Sequence, residues 1–260
     1  MHGGAWILGD KQYMAHTLLQ RLASRGVVVF TINYRMAPEA AFPAALIDCK
    51  RALCWVKKHC HEFNGDAGKV FVSGESAGGH LSALVATSAN FAAFQPPEHK
   101  DLDTSVAGGI PLSGVFDFTD KSGMNTLYPG PVTGMRATFL PFVERVVVQD
   151  RFSTNPELFH NASPLWYVEQ RLAGAIAEPL CPFMVVHGNL DVLTSFEDSL
   201  RFFAAVKRLR EQQSAGAKDV YVRMDKTHVR CWRVRGLTCA LHSVQARPGV
   251  LSKPAHARAG

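Results

Sequence analysis

No run of about 18 or more apolar residues occurs in this 260-residue chain, which leaves no candidate for a membrane-spanning helix. No Cys-x-x-Cys pair occurs among the six cysteines, Cys49, Cys54, Cys60, Cys181, Cys231 and Cys239, which speaks against a zinc site or a redox pair. No internal repeat stands out, so a solenoid is not expected. Acidic residues are missing from the whole stretch Lys226 to Gly260, which holds seven Lys and Arg. The net charge of +6 therefore belongs to the tail; in 1–225 there are 21 basic residues against 22 acidic ones. A basic tail can bind nucleic acid or membrane. This one has no helical or strand period and is rich in Arg, Ala, Cys, Pro and Gly. It reads as a segment not selected to fold with the rest, disordered or aberrant, such as a mis-spliced or frame-shifted end. No nucleic-acid partner is expected.

What is present suits one domain with a sizeable core: 47% of the residues are hydrophobic. Apolar runs and amphipathic stretches alternate, which implies a mainly parallel sheet flanked by helices. Strands are expected at 26–32, 70–72, 106–112, 182–186 and 220–224, and helices near 13–24, 44–60, 77–88 and 196–213. Pro43 suits a helix start, where its missing N–H is an orphan anyway. Cys49 and Cys60 share a helical stripe with Leu46, Leu53 and Val56, so they read as small buried apolar groups. That usage suits a reducing compartment, the cytoplasm. Residues 118–165 are richer in Pro, Gly and polar residues and read as an excursion over the surface.

Chemistry concentrates at Gly74-Glu75-Ser76-Ala77-Gly78-Gly79, between the β-branched run Val70-Phe71-Val72 and the helix-like run from His80. Gly-x-Ser-x-Gly between strand and helix is the nucleophile elbow of α/β-hydrolases. The turn lifts the serine hydroxyl clear of the sheet and offers the N–H of Ala77 to an oxyanion. The alternative is an ordinary Gly/Ser turn. His2-Gly3-Gly4-Ala5-Trp6 adds a second source of oxyanion donors, since glycines let the backbone approach a substrate and take φ > 0. Asp191 follows a buried strand at its carboxyl end, where open α/β sheets place their sites. It could instead serve as a turn carboxylate ahead of the helix from Phe196. Asp198 is the nearest competitor and is expected in mid-helix. His228 follows the last strand; His242 and His256 sit in the aperiodic tail. His2 reads as a brace for the glycine loop, and His187 as a backbone-bonding residue at the head of the Asp191 turn. Trp6 either lines an acyl pocket or covers the sheet edge.

These motifs resemble the hormone-sensitive-lipase-like branch of the α/β-hydrolases over residues 2–228. Asn33-Tyr34-Arg35-Met36-Ala37-Pro38-Glu39 is similar to the Tyr-Arg-Leu-Ala-Pro-Glu segment of those esterases, and His187-Gly188-Asn189-Leu190-Asp191 to their acid-bearing turn. The resemblance implies a triad of Ser76, Asp191 and His228, with Gly3, Gly4 and Ala77 as the oxyanion hole. It implies hydrolysis of short- or medium-chain acyl esters through an acyl-enzyme, with no metal or organic cofactor. It also makes 1–228 the hydrolase domain, with a lid-like insertion near 118–165, and 229–260 the tail. Relatives carry strands ahead of the His-Gly-Gly loop and a helix after the histidine. The sheet is therefore expected to lack its N-terminal strands and C-terminal helix, and to be broken between 26–32 and 70–72. Two other readings stay open: an amidase-like member related to kynurenine formamidase, and an inactive module on the same fold.

Overall fold

A computed structural model describes residues 1–13, 16–119, 139–188, 191, 193–213, 220–224 and 229–232. Four parallel strands lie side by side in chain order: β1 (Phe71–Glu75), β2 (Gly108–Leu112), β3 (Met184–Gly188) and β4 (Val220–Met224). A fifth, β5 (Val229–Trp232), pairs antiparallel with β4. Parallel neighbours need long crossovers. The first carries α3 (Ala77–Thr87); the second carries α4 (Phe139–Phe142), α5 (Pro156–Asn161) and α6 (Pro164–Leu172); the third carries α7 (Phe196–Gln212). Before β1 lie α1 (His16–Ala23) and α2 (Ala44–His59). Register aligns Glu75 with Leu112, Leu112 with Val186, and Gly188 with Met224. The carboxyl ends of all four parallel strands therefore meet at one edge of the sheet.

The helix α3 is buried along its whole length, from Ala77 to Thr87. That is the pattern of a helix enclosed on every side. It packs on β1 and β2, and α2 and α6 cover it in turn. The core continues through Phe116, Phe159, Phe183, Phe202, Val206 and Leu209. Cys49 and Cys60 are buried within or beside α2, as their stripe predicts, and Cys54 joins them. Pro43 sits at the N-cap position of α2. The described part of the 118–165 stretch packs inward: Val143, Val147 and Val148 are buried, and Phe42 N–H donates to the Val147 carbonyl at 2.9 Å.

Two expectations need correction. Residues 27–32 form no strand, and Val27 and Val28 are 37% and 38% exposed. A β-branched run becomes a strand only when a neighbour supplies its ladder bonds, and none does among the described residues. The sheet thus begins at β1, where the Met1 nitrogen donates to the Ser73 carbonyl at 2.8 Å. The second correction concerns Val229–Trp232: the sequence places it in an aperiodic tail, but it pairs along β4 from Met224↔Val229 to Tyr221↔Trp232. So short a run shows no period of its own; the ladder defines it. Residues 233–260 lie outside the described residues.

Candidate active site

Ser76 stands alone between β1 and α3, with φ 54° and ψ −115°. Positive φ at a non-glycine residue is strained, at a cost of about 1–3 kcal/mol, and persists only where surroundings enforce it. Here its N–H donates to the Leu112 carbonyl and its carbonyl accepts from His80 N–H, both at 2.9 Å. The turn also requires glycine. A Cβ on Gly79 would lie 2.7 Å from the Leu112 carbonyl oxygen, and one on Gly74 would strike the Gly78 carbonyl. The Ser76 side chain makes no capping bond to α3. The first N–H groups of the helix, that of Ala77 among them, are orphans of the helical ladder.

The glycine loop lies against this elbow. A Cβ on Gly3 would fall 3.5 Å from the Ser76 Cβ and 3.0 Å from the Glu75 carbonyl oxygen. Gly4, Ala5 and Trp6 follow with φ of 121°, 51° and 63°. A Cβ on Gly4 would collide with the Leu8 carbonyl, so glycine is required there. The loop is braced from three directions. His2 Nδ1 donates to the Gly3 carbonyl at 2.8 Å. The Tyr34 hydroxyl donates to the His2 carbonyl. Ala37 N–H donates to the Trp6 carbonyl at 2.9 Å. The Tyr-Arg-Met-Ala-Pro-Glu segment is therefore a clamp on the glycine loop. His2 is the brace the sequence suggested. Trp6 is buried, and its indole N–H donates to His80 Nδ1 at 3.1 Å.

Asp191 lies beyond the carboxyl end of β3. Its Oδ1 accepts from Leu193 N–H at 2.8 Å and Thr194 N–H at 3.0 Å, and its Oδ2 from the Thr194 hydroxyl at 3.0 Å. His187 Nε2 stands 3.5 Å from the same carboxylate. Burial pushes the carboxyl group up, but His187 and the Thr194 and Leu193 donors outweigh it and hold Asp191 well below the usual carboxylate range. Asp191 thus serves its own turn, the alternative role. His187 bonds the Ser199 hydroxyl at 2.6 Å and the Thr194 carbonyl at 3.3 Å.

Asp198 falls in the first turn of α7 rather than in mid-helix. It is fully buried and accepts from Phe116 N–H at 2.6 Å. Burial raises its carboxyl group to about 8. A protonated acid in that position ties α7 to the segment after β2 and suits a structural role.

Ser76, Gly3 and Ala77 are brought together, and Gly4 follows in the same loop. Asp191 sits two strands away from β1 at the same sheet edge. His228 lies outside the described residues, in the connection from Met224 to Val229. The roles of Tyr34 and His80 escaped sequence reasoning, because their partners lie 32 and 74 residues away.

The BD-FAE family matches residues 1–206. Esterase LipC of Mycobacterium tuberculosis is 36% identical over 208 residues, covering 80% of this chain and 46% of the relative. Esterase LipQ of the same organism is 34% identical over 227 residues, covering 87% and 48%. The chain therefore spans about half the length of these curated relatives. Among solved structures, Thermogutta terrifontis esterase 2 phosphonylated by sarin superposes with a TM-score of 0.66 at 21% identity, covering 86% of this chain and 71% of that one. A Pyrobaculum calidifontis esterase gives a TM-score of 0.62 at 24% identity, covering 86% and 64%. These likenesses establish the fold. Together with the family match, they place the chain in the BD-FAE family of hormone-sensitive-lipase-like α/β-hydrolases.

Proposed function

We propose that this chain carries the catalytic core of a serine carboxylic-ester hydrolase. The observation that bears most weight is the strained Ser76 with the Gly3 backbone set against it. In this reading Ser76 Oγ attacks the ester carbonyl carbon as His228 takes its proton. The C=O electrons move to the oxygen, and the N–H groups of Gly3, Gly4 and Ala77 receive that oxyanion. Collapse expels the alcohol, protonated by His228, and leaves an acyl-serine. Water, activated by the same histidine, then releases the acid. Asp191 orients His228 and stabilises its charged form. A serine hydroxyl needs such a base, being a weak nucleophile at neutral pH. The resemblance to hormone-sensitive-lipase-like esterases favours uncharged short- or medium-chain acyl esters. The relatives named as esterases support the same class.

The test is labelling of the chain by a fluorophosphonate, paired with turnover of p-nitrophenyl esters of graded chain length. Labelling at Ser76 and turnover that falls with acyl length support the reading. Turnover of aryl formamides in preference to esters would move it to the amidase-like alternative. A soluble, folded chain that neither labels nor turns over would overturn it.

A further inference from the structure

His80 holds two contacts that join the halves of the candidate site. Its backbone N–H donates to the Ser76 carbonyl at 2.9 Å, so it stands one helical turn after the nucleophile. Its side chain accepts from the Trp6 indole N–H at Nδ1, 3.1 Å away. On the other ring nitrogen it meets the Ala162 carbonyl at 2.7 Å. A carbonyl can only accept and an indole N–H can only donate. The ring is therefore the neutral tautomer with its proton on Nε2. Phe118 stacks on it at 4.5 Å and 10°, and Trp6 meets both rings edge-on at 5.2 Å. The imidazole is 1% exposed. Burial and the two aromatic contacts hold it against turning over.

The consequence falls on the oxyanion loop. Gly4, Ala5 and Trp6 all hold positive φ, and two of them are not glycine. Such a loop relaxes unless its far end is pinned. Trp6 is that end. Its carbonyl is held by Ala37 and its indole by His80. Because α3 carries both His80 and the orphan N–H of Ala77, one rigid helix sets the distance between the two groups of oxyanion donors.

We propose that His80 is a positioning residue: through the Trp6 indole it fixes the Gly3–Gly4 loop relative to Ser76. This rests on the esterase reading above for its effect on rate, but not for its structural core. The two arms of the test separate these.

Two substitutions split the two bonds. His80→Asn places an amide oxygen where Nδ1 stood and keeps an acceptor for Trp6, losing Ala162. His80→Gln reaches Ala162 with its amide N–H and loses the acceptor. Trp6→Phe removes the indole donor and keeps a buried ring. The first arm reads deuterium exchange of the Trp6 indole N–H by NMR, assigned by its disappearance in Trp6→Phe. Exchange should be slow in the parent and in His80→Asn, and at least about tenfold faster in His80→Gln. The second arm reads ester turnover. His80→Gln and Trp6→Phe should each lower kcat about tenfold with KM little changed, and the double variant should lose no more than either alone. His80→Asn should recover most of that loss. Equal indole exchange in parent and His80→Gln would overturn the proposal, as would additive losses or a His80→Asn no better than His80→Gln. A parent that turns over no ester would fail the functional reading alone; the exchange arm would still decide this one.

Discussion

The Tyr34 hydroxyl donates to the His2 carbonyl at 2.8 Å while the two rings stack at 4.3 Å and 10°. One residue of the Tyr-Arg-Met-Ala-Pro-Glu segment thus grips both the backbone and the side chain of the residue before Gly3. Burial pushes the phenol well above its ordinary range, so it remains a donor across working pH. Tyr34→Phe keeps the stack and leaves the His2 carbonyl without this donor. An unsatisfied buried acceptor costs about 1–3 kcal/mol. The expected result is a Tm lower by roughly 2–10 °C and slower ester turnover. Unchanged Tm and unchanged kcat together would show that the loop is held by its other braces.

How much of this was legible in the sequence follows from how local each feature is. The elbow at Ser76 was, because strand, turn and helix are consecutive and glycine is demanded within a few residues. The limits of β4, Val220–Met224, are those expected for that strand. Residues 27–32 misled, since their β-branched pattern specifies a wish for a partner and not the partner itself. Asp198 misled although the start of its helix was expected correctly at 196: as the third helical residue it lies in the first turn, and the mid-helix reading misplaced it within its own helix. The braces at Tyr34 and His80 were invisible because chain distance hides them. His2 was the exception; its neighbouring glycines suggested its role.

Ser76 stores strain that catalysis would use and stability would not. Ser76→Ala should abolish fluorophosphonate labelling and leave unfolding nearly unchanged, since φ of 54° persists with either side chain. Ser76→Gly should also abolish labelling while raising stability by about 1 kcal/mol, as glycine relieves the strain at some entropic cost. Chemical denaturation compares the three. A glycine variant less stable than the alanine variant would mean that the backbone is not strained there.

His80 makes stability depend on pH. Burial lowers its imidazole from 6.5 to about 4, against the Ala162 bond, which acts the other way. The unfolded chain therefore binds a proton that the folded chain refuses between those values. Stability is full above about pH 6.5 and falls as pH drops towards 4, by roughly 3 kcal/mol at 1.36 per unit. His80→Asn does not titrate and should flatten that part of the curve. Urea unfolding at pH 7.5, 5.5 and 4.5 measures it. Parallel curves for parent and variant would exclude His80 as the source.

Asp191→Asn separates the acid's local duty from its proposed catalytic one. The amide oxygen can still accept from Leu193 and Thr194 N–H, which the carboxylate does at 2.8 and 3.0 Å. What disappears is the negative charge that faces His187 at 3.5 Å. If Asp191 were only a turn carboxylate, the exchange would cost little beyond that contact, and turnover would follow the folded fraction. If it orients His228, the amide imposes the wrong tautomer, and the rate should fall by about 10⁴ with KM little changed. The two outcomes differ by orders of magnitude at equal folding. Kinetics and a denaturation curve on the same preparation therefore decide between them. A loss below about tenfold would assign the acid to another carboxylate.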